Sequence, residues 1–196
     1  MTGISRGLRG RASWLCIALT ACGGRASSTA EAPGPSAPRL IPQASAIVLE
    51  TAGPAPSDTT VTFLTGQRRA IILRHGPPEN VVFAELWFMP ETFGASGGRE
   101  VRVEVRPRPG VYGLEVSSSL PIGPGASLVF KYPRFFSAPA RARAVYGNDA
   151  VYERALAVGQ LQTNGMLSLL PSTRPAADVL RAPLPAAGSY VVAAPQ

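Results

Sequence analysis

"VRVEV", residues 101–105, alternates without a break: Val101, Val103 and Val105 are apolar, and Arg102, Glu104 and the following Arg106 are charged. Side chains of an extended chain point to opposite faces in turn. This period of two therefore gives one face to a core and the other, with opposite charges side by side, to water.

Outward from this strand, short apolar runs recur about every ten residues: "AIVLE" (46–50), "TVTFL" (60–64), "AIILR" (70–74), "VVFAELWF" (81–88), "YGLEV" (112–116) and "SLVFKY" (127–132). After "RARAVY" (141–146) come "MLSLL" (166–170), "ADVLRA" (177–182) and "SYVVAA" (189–194). Pro, Gly, Asn and Asp separate them, which is the cadence of an all-β sandwich or barrel of about ten short strands. In "RARAVY" the alternation places Ala142, Ala144 and Tyr146 on a core face against Arg141 and Arg143. In "VVFAELWF" both faces are apolar at one end, the pattern of a central strand. Asn164 and Gly165 predict a type I′ hairpin turn. Twenty prolines and twenty glycines oppose long helices. "DAVYERALAVGQL" (149–161) is the one ambiguous segment: Val151, Ala155 and Val158 follow helical spacing and suit one short helix, but the segment leads directly into the Asn164–Gly165 turn, so its second half is expected to be strand.

The N-terminus has a different character. Arg6, Arg9 and Arg11 precede "ASWLCIALTA", a basic segment and then an apolar run about half as long as a bilayer-crossing helix requires. Both cysteines, Cys16 and Cys22, fall here and none lies downstream, so they cannot staple the folded body. Leu19, Thr20, Ala21 and Cys22 resemble the lipobox of bacterial lipoprotein precursors. That resemblance implies cleavage of a signal peptide (1–21), diacylglycerol on the Cys22 thiol, and often a further acyl chain on the new amino terminus. Two or three chains anchor firmly where one is marginal, each buried methylene contributing about 0.8 kcal/mol. Gly23 in the next position, where such lipoproteins carry Asp for inner-membrane retention, implies outer-membrane sorting and a location in the bacterial cell envelope. Residues 22–45 are rich in Pro, Ala and Ser, predict a disordered tether, and leave 46–196 as one domain.

From "VRVEVRPRPGVYGLEV" through "NGMLSLLPS" to "AAGSYVVAA", the order of features resembles the immunoglobulin-like β-sandwich modules of bacterial envelope proteins. This implies a fold and no activity. The formal charge of +7 overstates the basicity of a processed chain, in which sixteen basic residues face twelve acids. All the basic residues but Lys131 are arginine. Nucleic acid is not an expected partner: the signal directs the chain away from it, and no basic motif is interleaved with aromatics.

Chemistry is largely excluded. With one histidine, and its only downstream cysteine assigned to lipid, the chain lacks the ligands of a usual zinc or copper site, so no metal is expected. No phosphate-binding or dinucleotide fingerprint occurs, and no cofactor is expected. Gly94, Ser96 and Gly98 satisfy G-x-S-x-G, but a nucleophile elbow leads into a helix and places its histidine last, whereas a strand follows here and His75 comes first. An envelope serine hydrolase using Ser96 and His75 is therefore the minor reading, beside a non-enzymatic structural or binding module. Glu79, Glu85 and Glu91 recur every six residues without indicating a paired-carboxylate cleft.

Between two apolar strands, "LRHGPPENVVF" sets Arg74, His75, Glu79 and Asn80 around a double proline. A rigid polar loop at the end of a sandwich suits recognition of an envelope protein or a glycan. The plainer reading is a turn with Arg74 and Glu79 paired at the surface. Carbohydrate or peptidoglycan binding predicts a shallow groove with Trp87, Tyr112 or Tyr146 exposed. Tyr132, Phe135 and Phe136 suit either a contact patch or a buried corner.

Overall fold

The computed structural model describes residues 37–51, 54–94, 97–134 and 136–196. The signal sequence, Cys22 and the tether as far as residue 36 lie outside the described residues, as do Ser96 and Phe135. In chain order the elements are β1 (Arg39–Pro42), a 3-10 turn (Gln43–Ser45), β2 (Ala46–Val48), β3 (Thr59–Leu64), β4 (Arg69–Arg74), β5 (Val82–Phe88), β6 (Glu100–Pro107), β7 (Gly113–Ser118) and β8 (Ser127–Lys131). Two helices follow, α1 (Ala140–Tyr146) and α2 (Asp149–Ala155), then β9 (Ala157–Leu161), β10 (Met166–Leu169), β11 (Thr173–Ala176), β12 (Val179–Pro183) and β13 (Gly188–Pro195).

The protein is an all-β sandwich, with thirteen strands among the described residues. An eight-stranded antiparallel sheet runs β1-β10-β9-β13-β7-β6-β3, with β2 also paired to β13, and a five-stranded one runs β11-β12-β8-β5-β4. The alternation of "VRVEV" is realised in β6. Val101, Val103 and Val105 are fully buried in the core between the sheets, and outside them Arg106 meets Glu104 at 2.7 Å. In β13 both faces are buried: Tyr190, Val192 and Ala194 enter the main core, and Val191 and Ala193 a smaller second one. The Tyr190 hydroxyl donates back to the Ala186 carbonyl at 2.5 Å, the arrangement of a tyrosine corner.

The second core corrects the extent of the tether. Arg39–Pro42 pairs with β10, and Ile41 and Ala46 are buried against Leu167, Leu169 and Val191. The 3-10 turn joins the two flanks, with Gln43 N–H donating to Gly165 O at 2.9 Å and Gln196 N–H to Ser45 O at 2.7 Å. Proline-rich composition hid one apolar residue, Ile41, whose burial stabilises the segment.

"RARAVY" is a helix, not a strand. Alanine and arginine are strong helix formers, and a four-residue Ala/Arg alternation fits either period. Pro139 at its start and Gly147 (φ 77°) at its end decide the matter. Ala142 is buried and Tyr146 half-buried one turn apart, whereas Ala144 is exposed. In α2 the Asn148 side chain accepts from Val151 N–H at 2.9 Å and caps the first turn, and Tyr152 fills the core. The segment 149–161 divides into helix and then strand, as its approach to the hairpin turn predicts; Val158, which fits helical spacing, lies in β9, and the residue that α2 buries is Tyr152. The Asn164–Gly165 hairpin forms, but only Gly165 enters the left-handed region (φ 78°). Gln162 N–H bonds Met166 O at 2.9 Å, so the loop is a longer bulged one, not type I′.

Candidate functional site: a cavity where two strands part

β5 and β4 pair from Phe88↔Arg69 to Ala84↔Leu73, after which the register jumps to Val82↔Arg74. Phe83 is the extra residue of a β-bulge, and a bulge bends its strand and re-aims a side chain. Phe83 thus joins Ala84 in the core, stacked on Tyr112 with ring centroids 5.2 Å apart at 15° and edge-on to Phe130 at 6.0 Å. On the other side, β5 and β8 pair only as far as Ala84↔Phe130, while β8 continues beside β12 to Lys131↔Val179. Where the β5–β8 ladder stops, a cavity of about 950 Å³ opens between Val81–Val82 on one wall and Lys131–Arg134 on the other.

Arg74, His75, Glu79 and Asn80 all line this cavity. Their loop is closed by His75 N–H donating to Val81 O at 2.9 Å, and Asn80 takes a left-handed conformation (φ 45°) that asparagine tolerates. Arg74 Nη1 donates to the Asn80 carbonyl at 3.2 Å. Among the described residues the ion pairs do not include Arg74 with Glu79. His75 is 7% exposed, edge-on to Phe83 at 5.2 Å, with Nδ1 3.4 Å from the Pro54 carbonyl. A carbonyl only accepts, so Nδ1 is the donor in that contact.

The floor is aromatic. Burial raises the Tyr112 phenol above its ordinary pKa, with a hydrogen bond to Thr51 opposing and the Glu79 carboxylate adding to it. Burial likewise pushes Tyr132 up to about 12 although Arg174 donates to its oxygen at 2.6 Å. Phe136 stands edge-on to Tyr132 at 5.7 Å, so these two form a corner beneath the cavity and not a free patch. The walls carry both signs of charge: Arg74, Lys131 and Arg134 against Glu50, Glu79 and Asp178. Lys131 is already paired with Glu85 at 2.7 Å. Glu50, Thr51 and Asp178 arrive from remote parts of the chain, and no local pattern marks them.

The other candidates lie elsewhere. Gly97, next to Ser96, packs on Gly66, and Gly98 N–H donates to Thr65 O at 3.0 Å, before β4 begins. His75 follows the far end of β4, roughly 20 Å along the strand. Trp87 is on the outer face of the five-stranded sheet, where its indole donates to Glu85 at 2.9 Å and Arg68 lies over its ring at 4.7 Å. Tyr112 is 3% exposed, and Tyr146 is half-buried with its hydroxyl donating to Pro195 O. These three aromatics share no groove. Among the described residues no three His, Cys, Asp or Glu side chains gather where a metal could bind, and no helix is long and apolar enough to cross a membrane. Comparison with protein-family models, with curated proteins and with solved structures finds no match to this chain.

Proposed function

We propose that the protein is a lipid-anchored module of the bacterial envelope that binds a ligand, without catalysis, in the cavity between β5 and β8. The observation carrying this reading is that the loop singled out by its residue types, Arg74 to Asn80, borders a cavity of about 950 Å³. Pockets that bind small ligands have volumes of roughly 300–1,000 Å³, mostly apolar linings and a few polar groups that set orientation. Buried Tyr112, Tyr132 and His75 supply the first, and the mixed-charge walls the second. Anchoring rests on the Leu19–Cys22 lipobox, and outer-membrane sorting on Gly23.

Titrating isotopically labelled Cys22→Ser protein with soluble peptidoglycan fragments, and separately with a detergent extract of envelope lipids, tests the site. Amide shifts concentrated in 74–82 and 131–137 support it. Shifts around Trp87 on the opposite sheet surface would instead favour the glycan face, and none with either probe would count against binding. Cell fractionation tests the anchor independently: Cys22→Ser is expected to move the protein from the membrane to the soluble fraction.

A further inference from the structure

Each open sheet ends in an edge strand, and edge strands pair with other chains unless guarded. Among the described residues the two sheets end in four strands, and three of these are guarded. β1 is four residues long and ends in Pro42; β11 contains Pro175 and a register shift; β4 is bracketed by Arg68, Arg69 and Arg74. The fourth, β3, reads "TTVTFL". It has no proline, no charge and no register shift against β6, and no residue of it is fully buried. Leu64 is 55% exposed, and Val61 and Phe63 only partly enter the core.

The ends of β3 differ in charge. At its start Asp58 lies 3.9 Å from Arg106, which also feels Glu104 and Glu115. Past its end stand Arg68 and Arg69, with Arg69 over the Phe63 ring at 5.7 Å, and Arg99 bonded back to Thr65. The first end is net acidic, with Asp58, Glu104 and Glu115 against Arg106, and the second net basic, with Arg68, Arg69 and Arg99 against Glu100, so the edge complements a copy of itself laid antiparallel and repels a parallel one.

We infer that β3 is the interface of a two-fold homodimer, in which the eight-stranded sheets of two copies join edge to edge. Opposed residues of an antiparallel pair share a sheet face, so the two-fold axis passes midway between the two copies of a single residue. Centred on Thr62, the pairing sets Thr62 against Thr62, Val61 against Phe63 and Thr60 against Leu64, with no like charges opposed. A symmetric contact of this kind is closed, and with the other edges guarded it stops at two copies.

Sedimentation equilibrium of full-length Cys22→Ser protein, in which lipid cannot drive association, is expected to give a monomer–dimer equilibrium. Thr62→Lys, which opposes two ammonium groups at the axis, should raise the dissociation constant at least tenfold while Thr62→Val leaves it within twofold. Amide exchange in 60–63 should slow as concentration rises, and should not in Thr62→Lys. A monomer at every concentration with fast exchange in β3, a mass growing beyond two copies, or a dimer indifferent to Thr62→Lys would each overturn the inference.

Discussion

The sandwich departs from regular pairing in two places and treats the resulting spaces oppositely. On the outer side of β13, residues 39–46 wrap a small second core and fill it with Ile41, Ala46, Leu167 and Leu169. At the far end of β5, the bulge at Phe83 parts two strands, and the space between them is left open and edged with charge. Apolar side chains close the first because burial alone stabilises it, at roughly 25 cal/mol per Å². Among the described residues nothing comparable fills the second, although aromatic rings line its floor. On the proposed function, the difference separates a region built for stability from one built for access, and substitutions should respond accordingly.

The largest effect is expected at the junction of the two designs. Phe83→Ala removes the ring that supports Tyr112 and should destabilise by about 3–5 kcal/mol, measured by urea unfolding, and weaken ligand binding as well. Leu167→Ala, wholly within the second core, should cost about 2–5 kcal/mol and leave binding by the folded fraction unchanged. Equal losses of affinity in the two variants would erase the distinction. Gly159→Ala sharpens it, since a β-carbon there would come within 2.7 Å of Leu167 Cδ1 and should cost about 1–3 kcal/mol through overpacking.

Smaller effects follow from charge. Burial would raise the Glu85 carboxyl, but hydrogen bonds from Lys131 and Trp87, together with the charges of Lys131 and Arg181, outweigh it and hold the group below its ordinary pKa. A depressed carboxyl contributes stability at neutral pH that is lost as pH falls through the folded-state value. Glu85→Gln should therefore flatten the acid limb of the stability curve and, with Lys131 partly exposed, cost only about 1 kcal/mol at pH 7. Tyr132 and Tyr190, both pushed up to about 12, act at the alkaline limb. Their unfolded forms ionise first, so stability should hold to pH 10 and fall from there towards 12. The smallest effect on stability, within about 0.5 kcal/mol, is expected for Arg74→Ala on the exposed rim, where only ligand affinity should drop.

Where the chain's period was unambiguous, the sequence was sufficient: β6 follows from local spacing alone, whereas the helix-to-strand division of 149–161 needed the hairpin turn that follows it, since Val158 fits helical spacing yet belongs to β9. "RARAVY" misled because alanine is neutral in both periods and only its flanking Pro139 and Gly147 discriminate. Residues 39–45 misled because their stability depends on a partner strand more than a hundred residues away in the sequence. Half of the candidate site was legible for a similar reason. Arg74 to Asn80 share one loop whose composition is unusual, whereas Glu50, Tyr112, Tyr132 and Asp178 meet it only through the pairing of β2, β7, β8 and β12. The bulge that opens the cavity leaves no mark in "VVFAELWF" beyond the apolar residues on both faces.

Native mass spectrometry of the protein extracted from its own membranes, beside a Ser137→Trp variant that fills the cavity from its rim, tests the central claim most directly. The account predicts a ligand mass retained on the native chain and lost from the variant. An identical, ligand-free mass for both would contradict it.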